Sequence, residues 1–116
     1  MSRPIKCRKV CSMPKCKRFG TLEATEASEI CMSVEEYEAI RLIDKMSFTQ
    51  EEASLQMNIA RTTLQRIYDS ARKKIAEAIV CGNVLSINGG TYTLCDGNEL
   101  SCRCGGCEKH KKFNEE

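Results

Sequence analysis

The stretch TQEEASLQMNIARTTLQRI, residues 49–67, decides the fold. Thr49 followed by Glu52 is a capping box: the hydroxyl takes a backbone N–H of the first turn while the carboxylate reaches back. Phe48 stands before it as an apolar lead-in. The helix so opened is short, because Asn58 tolerates left-handed backbone and stops it near Met57. Ile59 follows, and a further helix starts near Arg61. Two helices crossing at about 90–120° through a three- or four-residue turn have strict needs. They need a small residue at the close approach, a positive-φ residue in the turn and an apolar plug in the corner. Ser54 beside Ala53, then Asn58, then Ile59 supply these in order. Leu64 and Ile67 are placed to pack on Ala53 and Met57. The spacing predicts a helix-turn-helix.

With that packing, the other side of the second helix is exposed. Its first turns present Arg61, Thr62, Thr63, Gln65 and Arg66. Arginine pairs with guanine O6/N7, glutamine with adenine N6/N7, and threonine meets a thymine methyl or a phosphate. The N–H groups at the helix start also favour phosphate. Arg72, Lys73 and Lys74 lie further along and are expected on the sugar–phosphate backbone. The competing reading is a solvated charged face on a plain helical hairpin. Ala60 stands where a hydroxyl N-cap is usual, which costs about 1 kcal/mol; an Ile59–Leu64 staple offsets part of it.

Working outward, Ser33 and Glu36 form another capping box, with Met32 and Tyr37 at staple positions. That helix is expected to run to about Asp44, with Ala39, Ile40 and Ile43 toward the core. The helix from Arg61 is expected to reach about Val80 before Gly82. Leu64, Ile67, Tyr68, Ala71, Ile75, Ala78 and Ile79 recur along it at three- and four-residue spacing. Residues 84–87 and 91–94 flank Asn88-Gly89-Gly90, a hairpin signal. The expected fold is mainly α: a helix-turn-helix of winged-helix-like type with a short C-terminal β-hairpin and flexible tails. The expected divisions are 1–32, a basic arm and loop carrying Pro4, Pro14 and Gly20; 33–82, the helical domain; 83–94, the hairpin; and 95–116, a Cys/His-rich tail.

A chain of 116 residues with a formal charge of +2 fits one domain. The distribution of charge is more informative than its total. Residues 1–20 hold seven bases and no acid, residues 21–59 are net −7, and residues 60–80 are net +3. Such polarity suits a surface meeting a polyanion on one side, with Arg3, Lys6, Arg8 and Lys9 as an arm on the backbone or minor groove. The acidic Glu35, Glu36 and Glu38 read as a protein-contact face or as ordinary solvated surface. No secretory signal and no apolar run of about 18 residues appear, so a cytoplasmic, non-membrane protein is expected.

Nine cysteines in a reducing compartment read as thiols or ligands before disulfides. Cys95, Cys102, Cys104, Cys107 and His110 fall within sixteen residues, with Gly105 and Gly106 between them. The set suits zinc or an iron–sulfur cluster; equally it reads as a thiol-rich tail. Cys7, Cys11 and Cys16 form a looser group, with Cys31 nearby; Cys7 and Cys11 could chelate together, or the thiols are incidental. Cys81 is expected as a small buried hydrophobe. Neither a nucleophile–base pairing nor a phosphate-cradling glycine loop is present, so no enzyme is expected.

The chain resembles a prokaryotic family of predicted DNA-binding proteins of unknown function whose helix-turn-helix is similar to region four of the primary sigma factors. The resemblance rests on RPIKCRKV (3–10), VEEYEAIRL (34–42), TQEEA (49–53), RTTLQRI (61–67), SARKK (70–74) and Gly89-Gly90 with Tyr92. It implies a transcription-associated DNA binder. Some relatives carry a cysteine-rich tail or lie near iron–molybdenum cofactor proteins, which implies a metal role to weigh. The expected function is sequence-specific binding of double-stranded DNA in transcriptional regulation, modulated by metal or redox state at the tail, with homo-oligomers as further partners. The alternatives are a metal- or cluster-handling protein whose helices dock a partner, and a sigma-like adaptor for RNA polymerase.

Overall fold

The computed structural model describes residues 8–23 and 26–94, which form three helices and two small sheets. Strands β1 (Arg8–Val10), β2 (Arg18–Phe19) and β3 (Glu29–Met32) precede helix α1 (Val34–Ile40), which passes into a π-helical segment at Arg41–Lys45. Helices α2 (Gln50–Gln56) and α3 (Arg61–Cys81) follow, then β4 (Val84–Ile87) and β5 (Tyr92–Leu94).

Both capping boxes form. Ser33 accepts from Glu36 N–H while the Glu36 carboxylate takes Ser33 N–H, and Thr49 and Glu52 do the same for α2. Asn58 turns at φ 57°, and Gly82 closes α3 at φ 68°. Ala60 precedes α3 with no side-chain cap. Ala39, Leu42, Ala53, Met57 and Leu64 are fully buried at the α2–α3 corner, with Ile67 and Tyr68 beside them and Ile59 packed on the cluster. A second cluster of Val10, Met32, Val34, Ala71, Leu85 and Ile87 joins the helices to the sheets.

The expected hairpin does not form, although both of its strands do. β4 is the middle strand of a β2–β4–β3 sheet, antiparallel to β2 and parallel to β3. Both its edges are occupied, so β5 pairs in parallel with β1, Arg8 opposite Tyr92 and Val10 opposite Leu94. The Asn88-Gly89-Gly90 turn is drawn off its own strand: Asn88 N–H donates to Met32 O, and Gly89 O accepts from Val34 N–H. Gly90, at φ 102°, lies so close to α1 that a Cβ there would overlap the Glu35 carboxylate. Gly90→Ala is therefore expected to cost about 1–3 kcal/mol from the backbone alone, with the overlap added. A urea midpoint within error of the parent chain would contradict this account of the turn.

The basic arm is likewise corrected, since three strands occupy parts of it. β1 and the residue after it are fastened to α1 and to the end of α2. Lys9 N–H donates to Met57 O at 2.9 Å, Cys11 N–H to a Glu38 oxygen at 2.8 Å, and the Gln56 amide to Cys11 Sγ at 3.2 Å. Two burial expectations fail at the end of α3, where Ile79 and Cys81 are exposed. The helix runs on there past the α1–α2 body it packs against.

Candidate nucleic-acid interface

The site is a helix face set by the corner behind it. Leu64, Ile67 and Tyr68 point into the core, so the 3.6-residue repeat leaves Arg61, Thr62, Gln65 and Arg66 exposed, with Thr63 half-buried. Arg61 and Arg66 both face solvent. Tyr68 anchors this turn by donating to Asp44 at 2.9 Å. Burial, and then that hydrogen bond, push the phenol above its ordinary value, so it remains a donor at neutral pH.

The flanking cations divide into two kinds. Arg72 and Lys73 are exposed, and the Arg72 guanidinium lies 5.5 Å from the centre of the Tyr68 ring. Lys74 turns inward and donates to Glu36 at 2.7 Å. Arg8 is also held within the fold, paired with Glu35, and the Lys9 residue is buried at 6% exposure. These two are thus part of the fold rather than of a loose arm. Arg3 and Lys6 lie outside the described residues, as do Cys7 and the proposed ligands Cys95, Cys102, Cys104, Cys107 and His110. Among the described residues no group of three or more His, Cys, Asp or Glu side chains could hold a metal.

The burial of the acidic residues of α1 was missed by sequence reasoning. Glu35, Glu36 and Glu38 form neither a docking face nor solvated surface: their exposures are 4%, 6% and 0%. Glu35 takes Arg8 and the backbone N–H of Thr91. Glu36 takes Lys74 and Ser33 N–H. Burial pushes its carboxyl up, but hydrogen bonds from Lys74, Ser33 and Ser70 together hold it below its ordinary value. Glu38 takes Arg41 at 2.6 and 3.0 Å as well as Cys11 N–H. A buried carboxylate persists only when paired and hydrogen-bonded, and here all three are.

These pairs connect Arg8 and Cys11 to α1 and, through Glu36 and Lys74, α1 to α3. A small cleft of about 250 Å³ is lined by Arg8, Ser33, Glu35 and Glu36 on one side and Thr63, Arg66, Ile67 and Ser70 on the other. The start of α1 and the proposed reading turns of α3 are thus neighbours. No described helix is long and apolar enough to cross a membrane.

The sequence profile of DUF134, described as a protein of unknown function, matches residues 1–95. A UPF0251 protein of Desulfitobacterium hafniense strain Y51 is 54% identical, over 97% of this chain and 90% of its own length. UPF0251 proteins of Clostridium acetobutylicum and Caldicellulosiruptor saccharolyticus are 46% and 42% identical, over 89% and 90% of this chain and 75% of each relative. No solved structure matches.

Proposed function

The chain belongs to the DUF134 family, and for this member we propose sequence-specific binding of double-stranded DNA as a transcriptional regulator. The observation that carries the reading is the exposure of Arg61, Thr62, Gln65 and Arg66 at the start of a 21-residue helix whose opposite side is buried. A helix of that width enters the major groove, where these side chain types match base edges. Arg72 and Lys73 extend the cationic surface toward phosphates. The uncapped first turn of α3 adds N–H groups that favour an anion.

The test separates reading from gripping. Arg66→Ala is expected to cost about 1–3 kcal/mol on the preferred site and little on random duplex, flattening sequence preference. Lys73→Ala should weaken all duplexes alike and lower the salt slope by about one unit. Selection from a random DNA pool supplies the preferred site, and titration at several salt concentrations reads both effects. If both variants flatten preference equally, the assignment of roles is wrong; if the parent chain retains no duplex, so is the function.

A further inference from the structure

We infer that the apolar groove beneath the β2–β4–β3 sheet is the contact surface for a second copy of this chain. The groove encloses about 720 Å³ and is floored by Met32, Tyr37, Leu85 and Ile87 and walled by Ile75 and Ile79 of α3. An open apolar groove of that size, continuous with a core, is the form a binding surface takes. Its surroundings indicate the occupant. Phe19 and Ile79, which line it, are 51% and 76% exposed. Val80 follows Ile79 at 83%, and Leu22, between the lining residues Thr21 and Glu23, is fully exposed.

A small molecule inside the groove would leave Leu22 and Val80 in water. A protein face covers them. Together these four side chains present on the order of 600 Å² of accessible surface at and beside the groove, in the range of a monomer's largest apolar patches. That approaches the roughly 800 Å² per partner of a standard interface. The ridge bearing Ile79 and Val80 lies directly beside the groove. Two copies related by a twofold axis can each seat that ridge in the other's groove, as an isologous contact requires.

The inference deepens the DNA-binding reading and, for its consequence on DNA, rests on it. Thr63 lies about 24 Å along α3 from Ile79, at 1.5 Å per residue. Two such rods meeting near Ile79 and inclined at about a right angle would bring their leading turns to the roughly 34 Å spacing of successive major grooves.

Sedimentation velocity of the full chain without DNA, across the micromolar range, tests the contact. A species of twice the 13.0 kDa chain mass is expected. Val80→Asp and Ile79→Asp should each raise the dimer dissociation constant at least about tenfold, because an unpaired carboxylate resists desolvation. Both positions are exposed in the single chain, so the far-ultraviolet circular dichroism of the variants should be unchanged. A monomer throughout, a dimer indifferent to both substitutions, or a monomer releasing an apolar small molecule on denaturation each overturns the inference. A dimer that retains no DNA upholds it and overturns the function above. A dimer protecting two half-sites about 34 Å apart supports both.

Discussion

Glu38→Ala is expected to lower the unfolding free energy by about 3–5 kcal/mol, a large part of the 5–15 kcal/mol that holds a small domain together. Glu38 is fully buried, and its two oxygens serve Arg41 and the backbone N–H of Cys11. Alanine removes the compensating charge while Arg41 remains at 9% exposure, and it withdraws the acceptor that seats the chain after β1. The cost is that of withdrawing a paired carboxylate from beside a buried cation, well beyond one hydrogen bond. Glu51, exposed on α2, is the natural contrast: its alanine variant should change stability by no more than about 0.5 kcal/mol. Urea unfolding of the two variants reads the difference. Equal, small losses would mean that the Glu38 network does not hold the fold.

The second large effect is at the corner. Leu64→Ala should destabilise the chain by about 2–5 kcal/mol, the range for a buried leucine whose cavity cannot fully collapse. Leu64 sits at 0% exposure among Ala39, Leu42, Ala53 and Met57. Its neighbours come from three helical elements, and the β1 backbone is bonded to Met57. Few of them can move to fill the space. Under the DNA-binding reading, this variant should also lose affinity at temperatures where it is still folded, since Leu64 fixes the orientation of the turn carrying Gln65 and Arg66. A stability loss below 1 kcal/mol would show a corner loose enough to collapse.

What could be read in the sequence was local. Capping boxes span four residues, the left-handed stop at Asn58 is a single residue, and the apolar repeat of α3 is visible within any two turns. Each is decided by its own neighbourhood, and α1, α2 and α3 formed where those signals stood. The strands were different. β1, β2 and β3 are two to four residues long, too short for alternation to show, and their partners lie in the last described segment of the chain. The hairpin signal was sound chemistry for a turn, but it could not report that β4 already had a neighbour on each edge. The carboxylates of α1 escaped for the same reason. A buried glutamate looks like a surface one until its partners are known, and the charged partner stands 27 positions away for Glu35 and 38 away for Glu36; Glu38 pairs locally with Arg41, but its backbone donor, Cys11, is again 27 away.

Within the candidate site, the exposed turns of α3 were legible because exposure there follows from which residues face the corner. The inward turn of Lys74 and Arg8 was not, because it depends on the same distant acids.

The topology has a further consequence for how the protein comes to exist. During synthesis the amino-terminal strands leave the ribosome first, yet every ladder they join is completed by β4 or β5. A nascent chain reaching only Cys81 already contains all three helices, while its first three strands still await their edges. Contacts closing over so many residues are slow to form, and unsatisfied strand edges invite wrong pairings meanwhile. The helical corner is thus assembled early but braced late.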